Sequence, residues 1–177
     1  RSLSDNRVKS IFEDSRGTFW IGTNGDGLHT MDRKTGLFTR LKYSPQRPEQ
    51  LSRPPVQNEL DHITFITEDT DKKIWIGTWA NGLTRYDPLS GQITRYPNQD
   101  DKARAFNDPS SWCAYATPDG LIWLGTENAT ASLYKIDIYN TIIPHYGNGF
   151  ADGVCAFYEE SATVCWYGTR SGLVRKD

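Results

Sequence analysis

An all-β fold assembled from repeated antiparallel units is predicted by three features of this sequence. The tetrapeptide Trp-x-Gly-Thr occurs four times, at 20–23, 75–78, 123–126 and 166–169, so that the motif returns every 43–55 residues. Aromatic residues make up 12% of the 177 positions, with six Trp and nine Tyr, a mix that suits pleated strands. Short β-branched and aromatic runs alternate with Gly, Asn and Asp turns, and no sustained 3.6-residue apolar period appears. Repeats of this length, each holding about four short strands, are the signature of β-propeller blades. A parallel β-helix needs a much shorter period, and an immunoglobulin-like sandwich does not repeat internally.

Each unit follows one grammar. An apolar first strand (8–14, 63–69, 112–117, 154–160) leads into a polar turn (15–17, 70–72, 118–120, 161–163). The motif strand comes next, then a turn and a third alternating stretch (24–32, 79–87, 127–137, 170–177). Three units add an outer strand (38–43, 93–97, 142–146), which the fourth lacks. The blades are therefore expected at 1–43, 60–97, 111–146 and 153–177, with long linkers at 44–59 and 98–110. Three blades and most of a fourth make either a small ring or part of a larger one.

The motif residues read as structural, because four equivalent copies do not form one binding site. Trp20, Trp75, Trp123 and Trp166 are expected to lay an apolar face on the neighbouring blade. Gly22, Gly77, Gly125 and Gly168 would let that neighbour approach, and Thr23, Thr78, Thr126 and Thr169 suit a pleated surface. The carboxylate pairs Glu13-Asp14, Glu68-Asp69 and Glu159-Glu160 recur at the end of the first strand. Recurrence argues that they hold the turn's N–H groups. A glycosidase pair would instead need two carboxyls about 5–5.5 Å apart in a cleft.

The spacings around each Trp separate propeller families. No Trp-Asp pair closes a blade, as WD repeats require. Asp14 and Gly17 are too far apart for a sialidase Asp box, and the quinoprotein spacing differs as well. In contrast, SLSDNRVKSIFEDSRGTFWIGTNGDGLHTMD (2–32) and ITFITEDTDKKIWIGTWANGLTRYDPLSGQITRY (63–96) closely resemble the two-component regulator propeller repeat of bacterial sensors. Units three and four resemble it more loosely: Asn128-Ala-Thr-Ala-Ser-Leu133 replaces a Gly-rich turn, and the first turn of unit four lacks Gly. The resemblance implies a periplasmic sensor region of a membrane-bound histidine kinase, hybrid kinases of bacteroidetes included. Such regions precede a further β-domain, a transmembrane helix and the kinase, and many respond to oligosaccharides. The segment itself would carry no kinase activity.

Composition excludes several other classes. Twenty basic and 22 acidic side chains leave a net charge of −2, with no polybasic footprint for nucleic acid. No apolar run approaches the roughly 18 residues that span a bilayer, and no signal peptide is visible at the start. His29, His62 and His145 fall in different units without metal-ligand spacing, and no cofactor or metal is expected. Asp69, Asp71, Asp100 and Asp101 lack the twelve-residue spacing of a Ca²⁺ loop. A streptogramin-lyase-like metal-dependent propeller is the enzyme alternative; it needs His and Glu converging on the axis. Cys113 and Cys155 are read as the same slot of neighbouring blades, and Cys165 as the partner of Tyr158 across the hairpin. Three free, half-buried thiols follow from that reading.

A ligand, if the fold carries one, belongs on the loops. The turns after the motif strands open on one face, together with the linkers. Trp79 stands where unit one has Asn24, and an exposed Trp is a stacking platform for a sugar ring. The plainer alternative packs Trp79 over the adjacent linker. Asn81, Glu127 and Arg170 share these turns; Arg53, Arg104 and Trp112 lie in or beside the linkers. A small saccharide is the expected ligand. Unpaired blade faces at the ends of a partial ring predict association with further blades or a second copy, and a scaffold that only transmits geometry is the non-binding alternative.

Overall fold

The computed structural model describes residues 3, 5–41, 44, 46, 50–51, 62–96, 110–127, 133–137, 142–144, 153–161 and 163–176, which form fifteen strands in four antiparallel sheets. Blade 1 is the meander β1 (Val8–Glu13), β2 (Phe19–Thr23), β3 (Leu28–Asp32) and β4 (Leu37–Arg40). Blade 2 comprises β5 (Ile63–Glu68), β6 (Ile74–Thr78), β7 (Leu83–Tyr86) and β8 (Ile93–Tyr96). Blade 3 comprises β9 (Ser111–Ala116), β10 (Ile122–Thr126), β11 (Leu133–Ile136) and β12 (Ile142–Pro144). Blade 4 has three strands, β13 (Val154–Ser161), β14 (Val164–Thr169) and β15 (Gly172–Lys176). The innermost strands pack in succession, β1 on β5, β5 on β9 and β9 on β13. That succession makes the sheets propeller blades arranged about one axis.

Burial lies between blades. Trp20 and Leu28 of blade 1 meet Ile63, Ile66, Ile74 and Ile76 of blade 2. Trp75, Leu83, Phe65 and Tyr96 of blade 2 meet Ile122, Leu124, Tyr134 and Ile136 of blade 3. Trp123 and Cys113 of blade 3 pack against Val154 and Tyr167 of blade 4. Each motif Trp with a blade after it thus lies on that blade, as its apolar area demands. Trp166 is half-buried, with Arg175 over its ring at 5.8 Å.

The motif glycines divide into two uses. A Cβ on Gly22 would lie 2.4 Å from Ile63 Cγ2, and one on Gly125 would lie 2.2 Å from the Val154 carbonyl, so these two admit the next blade. At Gly77 the occupant is the Phe65 ring of the same blade, 2.0 Å from such a Cβ. The expectation of a neighbouring blade fails there because the directly opposite residue is an aromatic that fills the space first.

In blades 1 and 2 the carboxylate after the first strand does more than hold a turn. Asp14 Oδ1 accepts the Arg16 and Thr18 N–H groups at 3.0 and 2.8 Å, while Oδ2 accepts the Trp20 indole N–H at 2.9 Å. Asp69 repeats this with Lys73 N–H and the Trp75 indole, both at 2.8 Å. Thr117 replaces the Asp in blade 3; its hydroxyl oxygen accepts Leu121 N–H at 3.1 Å. In blade 4 the exposed Glu160 accepts the Trp166 indole at 2.6 Å. Gly17 and Gly120 turn this corner with φ of 82° and 89°, but blade 2 does so with Lys72 at φ 63°. That is a conformation Gly adopts far more easily.

The cysteine reading needs correction. Cys113 pairs with Gly125, whereas Gly168 of blade 4 faces Ala156, so Cys113 and Cys155 occupy different slots. Cys165 faces Glu159 rather than Tyr158, since Tyr158 faces Trp166 as Phe12 faces Trp20. All three thiols are free, but only Cys113 and Cys165 are half-buried; Cys155 is exposed.

Candidate functional site

In blades 1, 2 and 4 the turn after the motif strand is pinned by the motif Thr, which adds a polar role to its fit in a strand. Thr23, Thr78 and Thr169 donate their hydroxyls across the turn to the carbonyls of Gly27, Gly82 and Gly172 at 3.0, 2.9 and 2.9 Å. The same hydroxyl oxygens accept Asp26 N–H at 3.1 Å in blade 1 and Asn81 N–H at 2.9 Å in blade 2. The first turn residue is then tied to the incoming chain. Asn24 N–H donates to the Arg7 carbonyl at 2.9 Å, and Trp79 N–H to the His62 carbonyl at 3.0 Å.

This anchoring stacks the Trp79 indole on the His62 ring, with centroids 5.5 Å apart and planes 15° from parallel. Trp79 is still 42% exposed. The Ser110 hydroxyl donates to the Trp79 carbonyl at 2.6 Å, joining the turn to the entry of blade 3. The plainer alternative for Trp79 is therefore realised in part: its indole meets His62 at the end of the linker, and much of it stays open.

Trp79 lines a cavity of about 450 Å³ at the inner end of the blades, within the size range of small-molecule sites. Blade 1 contributes Lys9 and Asn24 to its wall, and blade 2 contributes Thr64 together with His62 just ahead of it. Trp112 comes from blade 3 and Cys155 from blade 4, so all four blades converge on one space. Beside it, the Arg170 guanidinium lies 4.5 Å from the Trp112 ring centroid and forms an ion pair with Glu127. Asp5 is bound by Arg7, whose backbone N–H and side chain hold its carboxyl below the usual range. Burial pushes the Cys113 thiol up, and the neighbouring Cys155 adds to that shift.

Of the residues singled out in the sequence, Trp79 and Trp112 share the cavity, with the Glu127–Arg170 pair alongside. Asn81 is placed in its own turn by the backbone bond to Thr78. Arg53, Arg104, His145 and Asp100-Asp101 lie outside the described residues. Lys9, Asn24, His62, Thr64 and Cys155 were not singled out as ligand residues. Asn24 had a signal, being the counterpart of Trp79; His62 carried none, because nothing local sets it against an indole seventeen residues further along the chain.

Other polar groups are engaged in the scaffold. His29 is buried near Asp26, with Nε2 to Oδ2 at 3.5 Å, and burial lowers its pKa below 6.5. Asp69 holds the Trp75 indole and lies 3.5 Å from Arg85, which also approaches Asp71. Among the described residues no three His, Cys, Asp or Glu side chains are grouped to hold a metal ion.

Similarity to known proteins begins with the first blade. Residues 2–25 match the two-component regulator propeller family. No curated protein matches the chain. Among solved structures, the extracellular domain of the BT3049 hybrid two component system from B. thetaiotaomicron superposes with a TM-score of 0.70 at 20% identity. The alignment covers 99% of this chain and 29% of that one. The corresponding BT4673 domain gives 0.70 at 20% identity, covering 98% and 22%. Virginiamycin B lyase from Staphylococcus aureus, in complex with quinupristin, gives 0.64 at 18%, covering 98% and 57%. The chain thus spans about a quarter of the length of the sensor domains. At these identities the likeness establishes the propeller fold, which sensors and a lyase share.

Proposed function

We propose that this chain is an extracytoplasmic propeller segment of a two-component sensor and that it binds a small saccharide where its four blades converge. The observation carrying this reading is the 450 Å³ cavity with two indoles, Trp79 and Trp112, in its wall. Indole faces pack on the C–H faces of sugar rings while leaving hydroxyls free for polar neighbours. The regulator-propeller match at residues 2–25 and the sensor domains of like fold support the cellular setting. In this reading the segment is a binding module; catalysis belongs to the kinase of the complete sensor. Trp79→Ala is expected to weaken saccharide binding at least tenfold in calorimetric titration, with the far-UV spectrum unchanged. Undiminished affinity would remove Trp79 from the site.

A second role, in assembly, is favoured by the end blades. Ile11 on blade 1 is 61% exposed and Leu173 on blade 4 is 68% exposed. The faces that carry them are the two that pack on each other at every internal junction of the chain. We propose that the trailing face of blade 4 in one copy docks on the leading face of blade 1 in a second copy. Light scattering is expected to give twice the monomer mass, and a monomer at every concentration overturns the docking.

A further inference from the structure

The four inner strands share one irregularity that the ligand reading leaves unused. Pairing in blade 1 runs from Val8↔Thr23 to Ser10↔Gly22, skipping Lys9. Blade 2 runs from Ile63↔Thr78 to Phe65↔Gly77, skipping Thr64. Blade 3 skips Trp112 between Ser111↔Thr126 and Cys113↔Gly125, and blade 4 skips Cys155 between Val154↔Thr169 and Ala156↔Gly168. A β-bulge leaves its extra residue out of the ladder and re-aims that side chain. Here all four re-aimed side chains line the same cavity.

The residues opposite each bulge are held constant by the fold: Gly and Thr of the motif recur in every blade. The bulge residues are Lys, Thr, Trp and Cys, all different in charge, size and polarity. The fold therefore requires a bulge but places little demand on its side chain, so each blade can deliver separate chemistry to one space.

We propose that this bulge position is the specificity-determining slot of the site, and that Lys9, Thr64, Trp112 and Cys155 together select an acidic saccharide. The proposal rests on the saccharide reading of the cavity and assigns its ligand class. Trp112 offers the stacking surface, its ring held beside Arg170. Thr64 donates its hydroxyl to the Ser111 carbonyl, which fixes the oxygen as an acceptor for a sugar hydroxyl. Lys9 supplies the charge. Among the described residues no carboxylate lines the cavity, and the adjacent Asp5 and Glu127 are taken by Arg7 and Arg170. Lys9 makes no ion pair among the described residues, so its ammonium is available to a ligand carboxylate or sulfate.

The test titrates the chain with a glucuronate-containing disaccharide and with its neutral glucose counterpart, at low and at physiological salt. The wild-type chain is expected to bind the acidic sugar at least tenfold more tightly at low salt, the margin narrowing as salt screens the exposed charge. Lys9→Gln, at an exposed position that the core does not use, should erase that margin. Equal affinity for both sugars, or an unchanged margin in Lys9→Gln, overturns the bulge assignment while the saccharide site stands. Binding of neither sugar overturns the assignment together with the reading beneath it. Trp112→Ala should lower affinity for both sugars alike; a loss confined to the acidic one would contradict its stacking role.

Discussion

Leu83 in blade 2 and Leu173 in blade 4 occupy the same place, each directly across from a motif Gly. Leu83 is 1% exposed and Leu173 is 68% exposed. The neighbouring Trp75 is buried and its equivalent Trp166 is only half-buried. The leading faces show the same split, with Ile66 of blade 2 at 6% and its counterpart Ile11 of blade 1 at 61%. Pairing among the first three strands of blades 2 and 4 is nearly identical, so what differs is what lies around them. Leu83 has the outer strand β8 beside it, through Tyr96, and the sheet of blade 3 over it; among the described residues Leu173 has neither. A propeller blade forms its own ladder, but its core is half someone else's.

The largest effect should come from cutting into that shared core. Leu83→Ala is expected to destabilise the chain by about 2–5 kcal/mol in urea denaturation followed by circular dichroism, from lost burial and the cavity left behind. Leu173→Ala should change stability by no more than about 0.5 kcal/mol in dilute solution, as for an ordinary surface site. A large loss at Leu173 would show that its face is covered in solution, breaking the contrast and supporting docking of a second copy.

A smaller effect separates the two kinds of Trp anchor. Asp69→Ala removes the acceptor of a buried indole N–H and of a turn N–H. An unsatisfied buried donor costs about 1–3 kcal/mol. Glu160→Ala removes an exposed bond to Trp166 and should cost no more than about 0.5 kcal/mol. Equal losses at the two positions would mean that burial does not govern the anchor.

The fold was legible because its demands are local and repeated. Trp-x-Gly-Thr marks each second strand, and alternating runs between Gly and Asn turns mark the others, so four sheets could be read without any long-range information. The match ends where one-residue register matters. Every blade pairs its motif Trp with the residue eight positions ahead of it. Cys113 stands ten positions ahead of Trp123 and pairs with Gly125, whereas Cys155 stands eleven ahead of Trp166 and takes the bulge; the same register sets Cys165 opposite Glu159. Nothing in a single strand's composition announces a bulge; it follows from how Thr and Gly of the second strand meet the first.

The candidate site was legible only in part, for the same reason. Trp79 and Trp112 stood out by residue type, as a large aromatic in a polar turn and one at the end of a linker. Lys9, Thr64 and Cys155 are ordinary strand residues until the bulge turns them toward a common space. Thr in the motif looked like a strand former, yet its hydroxyl ties the turn that carries Trp79.

By itself the sequence determined that this is a chain of β-propeller blades, how many motif strands it holds and where each turns, because strand periodicity and turn chemistry act over a few residues. Tertiary structure alone decided which side chains meet. Trp79 lies on His62, four bulges face one cavity, and Leu83 is buried where Leu173 is not, since these contacts depend on how one sheet packs against the next.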